Sequence, residues 1–246
     1  MATDPLLIYP LVLIVGFVAG TVSGIVGTGA TIILLPVLVF AFGPRAAIPI
    51  MAIVALMSNF AKITSWWKEI DWRACAAYAA GGIPGAALGA RTMLVLPPSV
   101  IDIALGVFFL VMISGRRWLA ARNFKIRPWA LVPAGAAIGF LTGVVVSTGP
   151  ISVPVFTAYG LVKGAFIATE AAASLALYIS KAITFRSFGA LPTDIVLKGL
   201  IAGSSVMAGT YTARLIVERL SIATFQRLLD VVMLISGFAL LWAAIR

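Results

Sequence analysis

Gly20-Thr21-Val22-Ser23-Gly24-Ile25-Val26-Gly27-Thr28-Gly29, with Pro36 beyond it, is answered later by Gly139-Phe140-Leu141-Thr142-Gly143, then Thr148-Gly149 and Pro154. A lone lysine follows each block, Lys62 and Lys181. The echo continues with Ala90-Arg91 against Ala213-Arg214, and with Val111-Met112-Ile113-Ser114-Gly115 against Met233-Leu234-Ile235-Ser236-Gly237. A duplicated apolar unit whose glycine-rich break recurs in both copies is how many secondary transporters are built. The sequence divides accordingly into a first repeat over 1–115, a basic linker over 116–128 and a second repeat over 129–246.

Composition sets the solvent. Hydrophobic residues make up 62% of the 246 and charged residues 11%, against about 25% charged in a soluble domain, so water cannot face most of this surface. The expected fold is an all-α polytopic membrane protein. The net charge of +10 lies between apolar segments, which fits membrane topology rather than nucleic-acid binding. One cysteine, Cys75, allows no internal disulfide, and the absence of histidine removes the commonest metal ligand and proton shuttle. With no paired-cysteine zinc pattern, Ser–His–Asp set or P-loop, the reading includes no cofactor, no metal site and no enzymatic activity. Met1-Ala2-Thr3-Asp4-Pro5 lacks a basic leader and is read as entering a retained first helix.

Apolar segments fall at roughly 6–26, 30–42, 46–67, 74–93 and 100–115, then 129–147, 149–161, 164–186, 194–216 and 222–245. The second of each five is short, since about 13 helical residues rise only about 20 Å against about 30 Å of hydrocarbon. Broken or re-entrant helices are therefore expected at Gly27-Thr28-Gly29 and at Ser147-Thr148-Gly149-Pro150. The linker carries Arg116, Arg117, Arg122, Lys125 and Arg127 with no acid among them, which marks it as cytoplasmic. Five crossings per half invert the second repeat relative to the first; four make the two parallel. The inverted arrangement puts Lys68, Arg73, Lys163, Arg214 and Arg219 on the linker side and is the preferred reading.

The candidate site grows out of the breaks. A helix that restarts after glycines aims unpaired amides and its positive dipole end at whatever lies ahead. Gly27, Thr28 and Gly29, with Ser147, Thr148 and Gly149, are candidates for binding a small anion in this way. The spacings Gly16/Gly20/Gly24 and Gly135/Gly139/Gly143 belong instead to close helix packing. Lys62 and Lys181 are candidates for charge compensation, beside the alternative that their stems snorkel to the interface. Asn59, with Ser58, offers a polar lining next to Lys62. Glu170, Ser174 and Lys181 share one helix face, whose counterparts in the first half are Met51, Ala55 and Lys62. The acid is unique to the second copy. It is a candidate proton-coupling group, or else a first-turn acid favoured by the helix dipole.

The pattern Gly24-x-x-Gly27-x-Gly29 … Pro36, duplicated with Ser147-Thr148-Gly149-Pro150 in the second copy, resembles the sulfite exporter TauE/SafE family of membrane transporters. The resemblance extends over both repeats and the basic central loop. It implies outward movement of a sulfur-containing anion such as sulfite or an organosulfonate across the bacterial inner membrane. The expected function is a secondary transporter, a probable exporter of such an anion, working by alternating access around a site formed by the two motifs. Its partners are the small anion and the lipid bilayer, with oligomeric state left open. A carrier or channel for a cation, metal or neutral solute is the alternative; it would tolerate methionine at Lys62 and Lys181.

Overall fold

The computed structural model describes residues 5–93, 126–144, 149–188 and 191–221, with a few further positions up to 231. Those residues form helices α1 (Pro5–Val26), α2 (Ala30–Phe42), α3 (Pro44–Trp66), α4 (Trp72–Met93), α5 (Leu131–Val144), α6 (Gly149–Tyr159), α7 (Lys163–Ser187) and α8 (Thr193–Arg219), with short 3₁₀ turns at Trp67–Glu69 and Pro128–Ala130. No strand occurs among them. Four stretches, Ile8–Val26, Pro49–Glu69, Lys163–Ser187 and Thr193–Arg219, are long and apolar enough to cross a membrane. Arg116, Arg117, Arg122 and Lys125 of the linker, the segment expected at 100–115, and all but a few positions of the one expected at 222–245 lie outside the described residues.

Helix boundaries follow local chemistry. Gly27 and Gly29 take φ values of +84° and +107°, a left-handed conformation that Cβ disfavours, so the chain breaks between α1 and α2 where the glycines stand. Gly43, at φ +79°, separates α2 from α3, and Pro44 opens the next helix. Asp71 caps α4: its Oδ1 accepts from the amides of Arg73 and Ala74, each at 3.0 Å. Tyr9 near the start of α1 packs on Phe42 at the end of α2, ring centroids 5.9 Å apart. The two helices therefore form an antiparallel hairpin.

Small residues set the packing. Along α1, Gly16 meets Ser205, Gly20 meets Val206, and Gly24 meets Thr210 and Ala213 of α8. Along α4, Tyr78, Gly82 and Ala86 meet Gly135, Gly139 and Gly143 of α5. In both pairs the numbering rises together, so the partners run parallel. A Cβ at Gly20 or Gly139 would fall on neighbouring backbone, the close approach that drives helix association in lipid. These two pairs make the most extensive interhelical contacts, followed by α3 with α8, α3 with α7 and α4 with α7. One apolar core gathers Tyr78, Leu131, Phe156, Phe166 and Leu177; a second gathers Leu34, Leu38, Ile50, Met51, Val54 and Val206.

Hydrogen bonds tie one end of the bundle together. The Asp71 amide donates to Thr169 Oγ1 at 2.9 Å, Tyr159 Oη donates to Asp71 Oδ2 at 3.2 Å, and the Ile126 amide donates to the Ala158 carbonyl at 3.1 Å. Arg214 donates to the Ser65 carbonyl at 2.7 Å and stands over the Trp66 ring. The ends of α3, α6 and α8 thus meet the starts of α4, α5 and α7. Lys68, Arg73, Arg127, Lys163, Arg214 and Arg219 cluster there, and this is called the basic end below.

Candidate functional site

A cavity opens at the break between α1 and α2. Its free volume is about 40 Å³, and its walls include Gly27, Thr28, Gly29, Asn59, Lys62 and Glu170. Four elements supply the walls: the end of α1, the start of α2, the face of α3 carrying Ala55, Ser58, Asn59 and Lys62, and the face of α7 carrying Glu170, Ser174 and Tyr178.

Lys62 is only 4% exposed. Its Nζ donates to the Gly27 carbonyl at 2.6 Å. That carbonyl belongs to the carboxyl end of α1, where orphan oxygens and the negative end of the dipole favour a cation. The snorkelling alternative is not what the side chain does: it turns inward to the helix end. An ammonium has three donors, and this bond uses one. The amino end of α2 has no side-chain cap, so the leading amides at Ala30 and Thr31 border the cavity with the dipole's positive end.

Glu170 is 3% exposed. Its Oε1 accepts from Ser152 Oγ and from Ser174 Oγ, both at 2.8 Å, while Oε2 is buried without a hydrogen-bond partner among the described residues. Helix α7 begins at Lys163 and carries no acid in its first turn. Glu170 sits about two turns in, which corrects the first-turn alternative: the amino-end dipole does not reach that far. Ser58 Oγ also lacks a partner. Unpaired buried polar groups cost free energy comparable to a lost hydrogen bond, so this wall favours a polar occupant, water or solute.

Of the residues expected to act together, the cavity unites Gly27, Thr28, Gly29, Asn59, Lys62 and Glu170. Lys181 is buried elsewhere, its Nζ donating to the Thr142 carbonyl of α5 at 2.9 Å and standing 5.4 Å from the Phe185 ring centroid. Because α3 and α7 run oppositely, Lys62 lies toward the basic end and Lys181 toward the other. Gly149 opens α6 and is not among the cavity's lining, and Ser147 and Thr148 lie outside the described residues. Sequence reasoning missed Ser23 and Tyr178 as wall residues. The available signal was a hydroxyl one turn before Gly27, and another on the Glu170 face about two turns beyond it.

Comparison with curated proteins and with solved structures found no match. The family model for Sulfite exporter TauE/SafE matches residues 12–240. A match spanning both halves of the chain, over a helical bundle with four membrane-length apolar helices, identifies it as a member of the sulfite exporter TauE/SafE family of membrane transporters.

Proposed function

We propose that this protein is a secondary carrier that moves a small sulfur-containing oxyanion or organosulfonate outward across the bacterial inner membrane. The observation that carries this reading is the cavity at the α1–α2 break. Open helix amides, the Thr28 hydroxyl, the Asn59 amide and the Lys62 ammonium all border it, and together they complement an anion without an arginine. Glu170, on the wall from the other half, is the proton-coupling residue of this reading.

The expected repeats find support in helix direction. α1 and α3 run toward the basic end while α5 and α7 run away from it; α4 runs away and α8 toward it. Each helix thus opposes its counterpart in the other half, as inverted repeats require. The positive-inside rule assigns the basic end, and with it the linker, to the cytoplasm. Alternating access then rocks the α1–α8 pair against the α4–α5 pair, with the short α2 and α6 re-entering between them. Lys181 at the carboxyl end of α5 is the inverted counterpart of Lys62.

Flux of sulfite, thiosulfate, sulfoacetate and isethionate into liposomes bearing the purified protein tests the reading. Saturable flux of at least one anion, abolished by Lys62→Met, is the expected result. Flux of a cation or neutral solute that survives Lys62→Met would replace it with the rival carrier.

A further inference from the structure

We propose that the cavity takes its anion together with one proton, held on Glu170 Oε2, so that each turnover moves one negative charge fewer than the anion carries; a dianion such as thiosulfate keeps one negative charge, which an inside-negative membrane potential drives outward. The proposal rests on the anion-carrier reading above and adds its coupling.

The hydrogen bonds of Glu170 all fall on one of its two oxygens, which leaves the other open to a proton. Ser152 on α6 and Ser174 one turn along α7 both donate to Oε1. Oε1 therefore has both lone pairs used, as acceptor only. Oε2 has no partner among the described residues. A proton placed on Oε2 needs an acceptor that the protein does not supply, and an oxygen of the bound anion supplies it.

The alternative is an anion beside an ionised carboxylate. At a separation of about 5 Å and an effective dielectric constant near 20, that repulsion costs more than about a hundredfold in affinity. The groups facing Glu170 do not cancel it by contact. Lys62 on α3 is the nearby cation, but its ammonium bonds Gly27 instead. Tyr78 on α4 lies within electrostatic reach, Tyr178 shares the α7 face, and α6 contributes only the Ser152 hydroxyl. The proton binds from the solution that the cavity faces, forming one O–H bond at Oε2. It leaves to the opposite solution when the anion departs. Met51 and Ala55 stand where the other half has Glu170 and Ser174, so this acid is not duplicated, and the proposal sets the ratio at one proton per anion.

The test uses liposomes with the full-length protein, the membrane potential clamped at zero and a pH gradient of about one unit, acid outside. Thiosulfate and isethionate are the probes, because both are anions of strong acids and carry no proton of their own near neutral pH. One-to-one coupling predicts accumulation of about tenfold per pH unit. Downhill flux without accumulation would overturn the proposal and leave the anion carrier standing. No flux of either probe would overturn both. Glu170→Gln is expected to lose the gradient-driven accumulation; accumulation that survives it would place the proton elsewhere and overturn the assignment.

Discussion

Lys62 and Lys181 each place an ammonium on the carboxyl end of the first helix of their half, on Gly27 and on Thr142 respectively. Around Lys62 stand open helix amides, partnerless polar groups and a carboxyl. Around Lys181 the known company is a helix end and the Phe185 ring. The across-bundle partners differ in the same sense: α7 offers Glu170 and Ser174 to the Lys62 side, whereas the equivalent α3 positions are Met51 and Ala55. The difference teaches that a duplicated lysine can keep one structural duty in both copies while a binding role rests on its neighbours. Both lysines hold a helix end; among the described residues the unpartnered polar groups Glu170 Oε2 and Ser58 Oγ belong to the cavity walls on the Lys62 side.

Forcing the halves to match should be the most damaging change. Met51 is buried among Leu34, Leu38, Ile50 and Val54, with no donors to receive an acid. Met51→Glu is expected to cost about 3 kcal/mol or more, because a buried carboxyl without partners is heavily penalised. Glu170→Gln, which keeps the two serine donors, should cost about 1 kcal/mol or less. Thermal unfolding in detergent measures both, and equal losses would erase the contrast between the two faces.

Next in size is Lys181→Met. It withdraws the ammonium from the Thr142 carbonyl and should cost about 1–3 kcal/mol, read as a fall in melting temperature of roughly 2–4 °C per kcal/mol for a chain of this size. A melting temperature unchanged from wild type would show that the cap contributes nothing.

Thr28→Ala and Asn59→Ala sharpen the other side. Neither residue has a hydrogen bond to the described protein, so each change should leave stability within about 0.5 kcal/mol. Each should weaken anion binding by about 1 kcal/mol, roughly fivefold. Isothermal titration with the transported anion measures this, and a loss of stability with unchanged affinity would return both residues to a packing role.

Much of the fold was legible in the sequence because its signals are local. The break after Val26 is written in Gly27 and Gly29, the start of α3 in Gly43-Pro44, and the close-packed ridges in the spacings Gly16/Gly20/Gly24 and Gly135/Gly139/Gly143. The pairing of those ridges was not local. Nothing near Gly20 indicates that it meets Val206 of the other half, or that Gly139 meets Gly82. The candidate site was legible to the same degree. Lys62, Asn59 and the Gly27-Thr28-Gly29 turn lie within one half and were found from spacing. Glu170 was recognised as an intramembrane acid, but its arrival in the first half's cavity depends on α3 packing against α7, which no periodicity encodes. The same cause hid Tyr178; the first-turn alternative for Glu170 failed for a local reason, since about two turns of α7 from Lys163 precede it.

The most direct test of the central claim is equilibrium binding of sulfite, thiosulfate and isethionate to wild type, Lys62→Met and Lys181→Met, by isothermal titration in detergent. The account predicts that Lys62→Met loses roughly 30-fold or more in affinity, the scale of a lost charge-assisted contact of about 2–3 kcal/mol. Lys181→Met, less stable but folded, should keep its affinity within about twofold. Equal losses in the two variants, or binding untouched by Lys62→Met, would contradict the assignment of the anion to the cavity at the α1–α2 break.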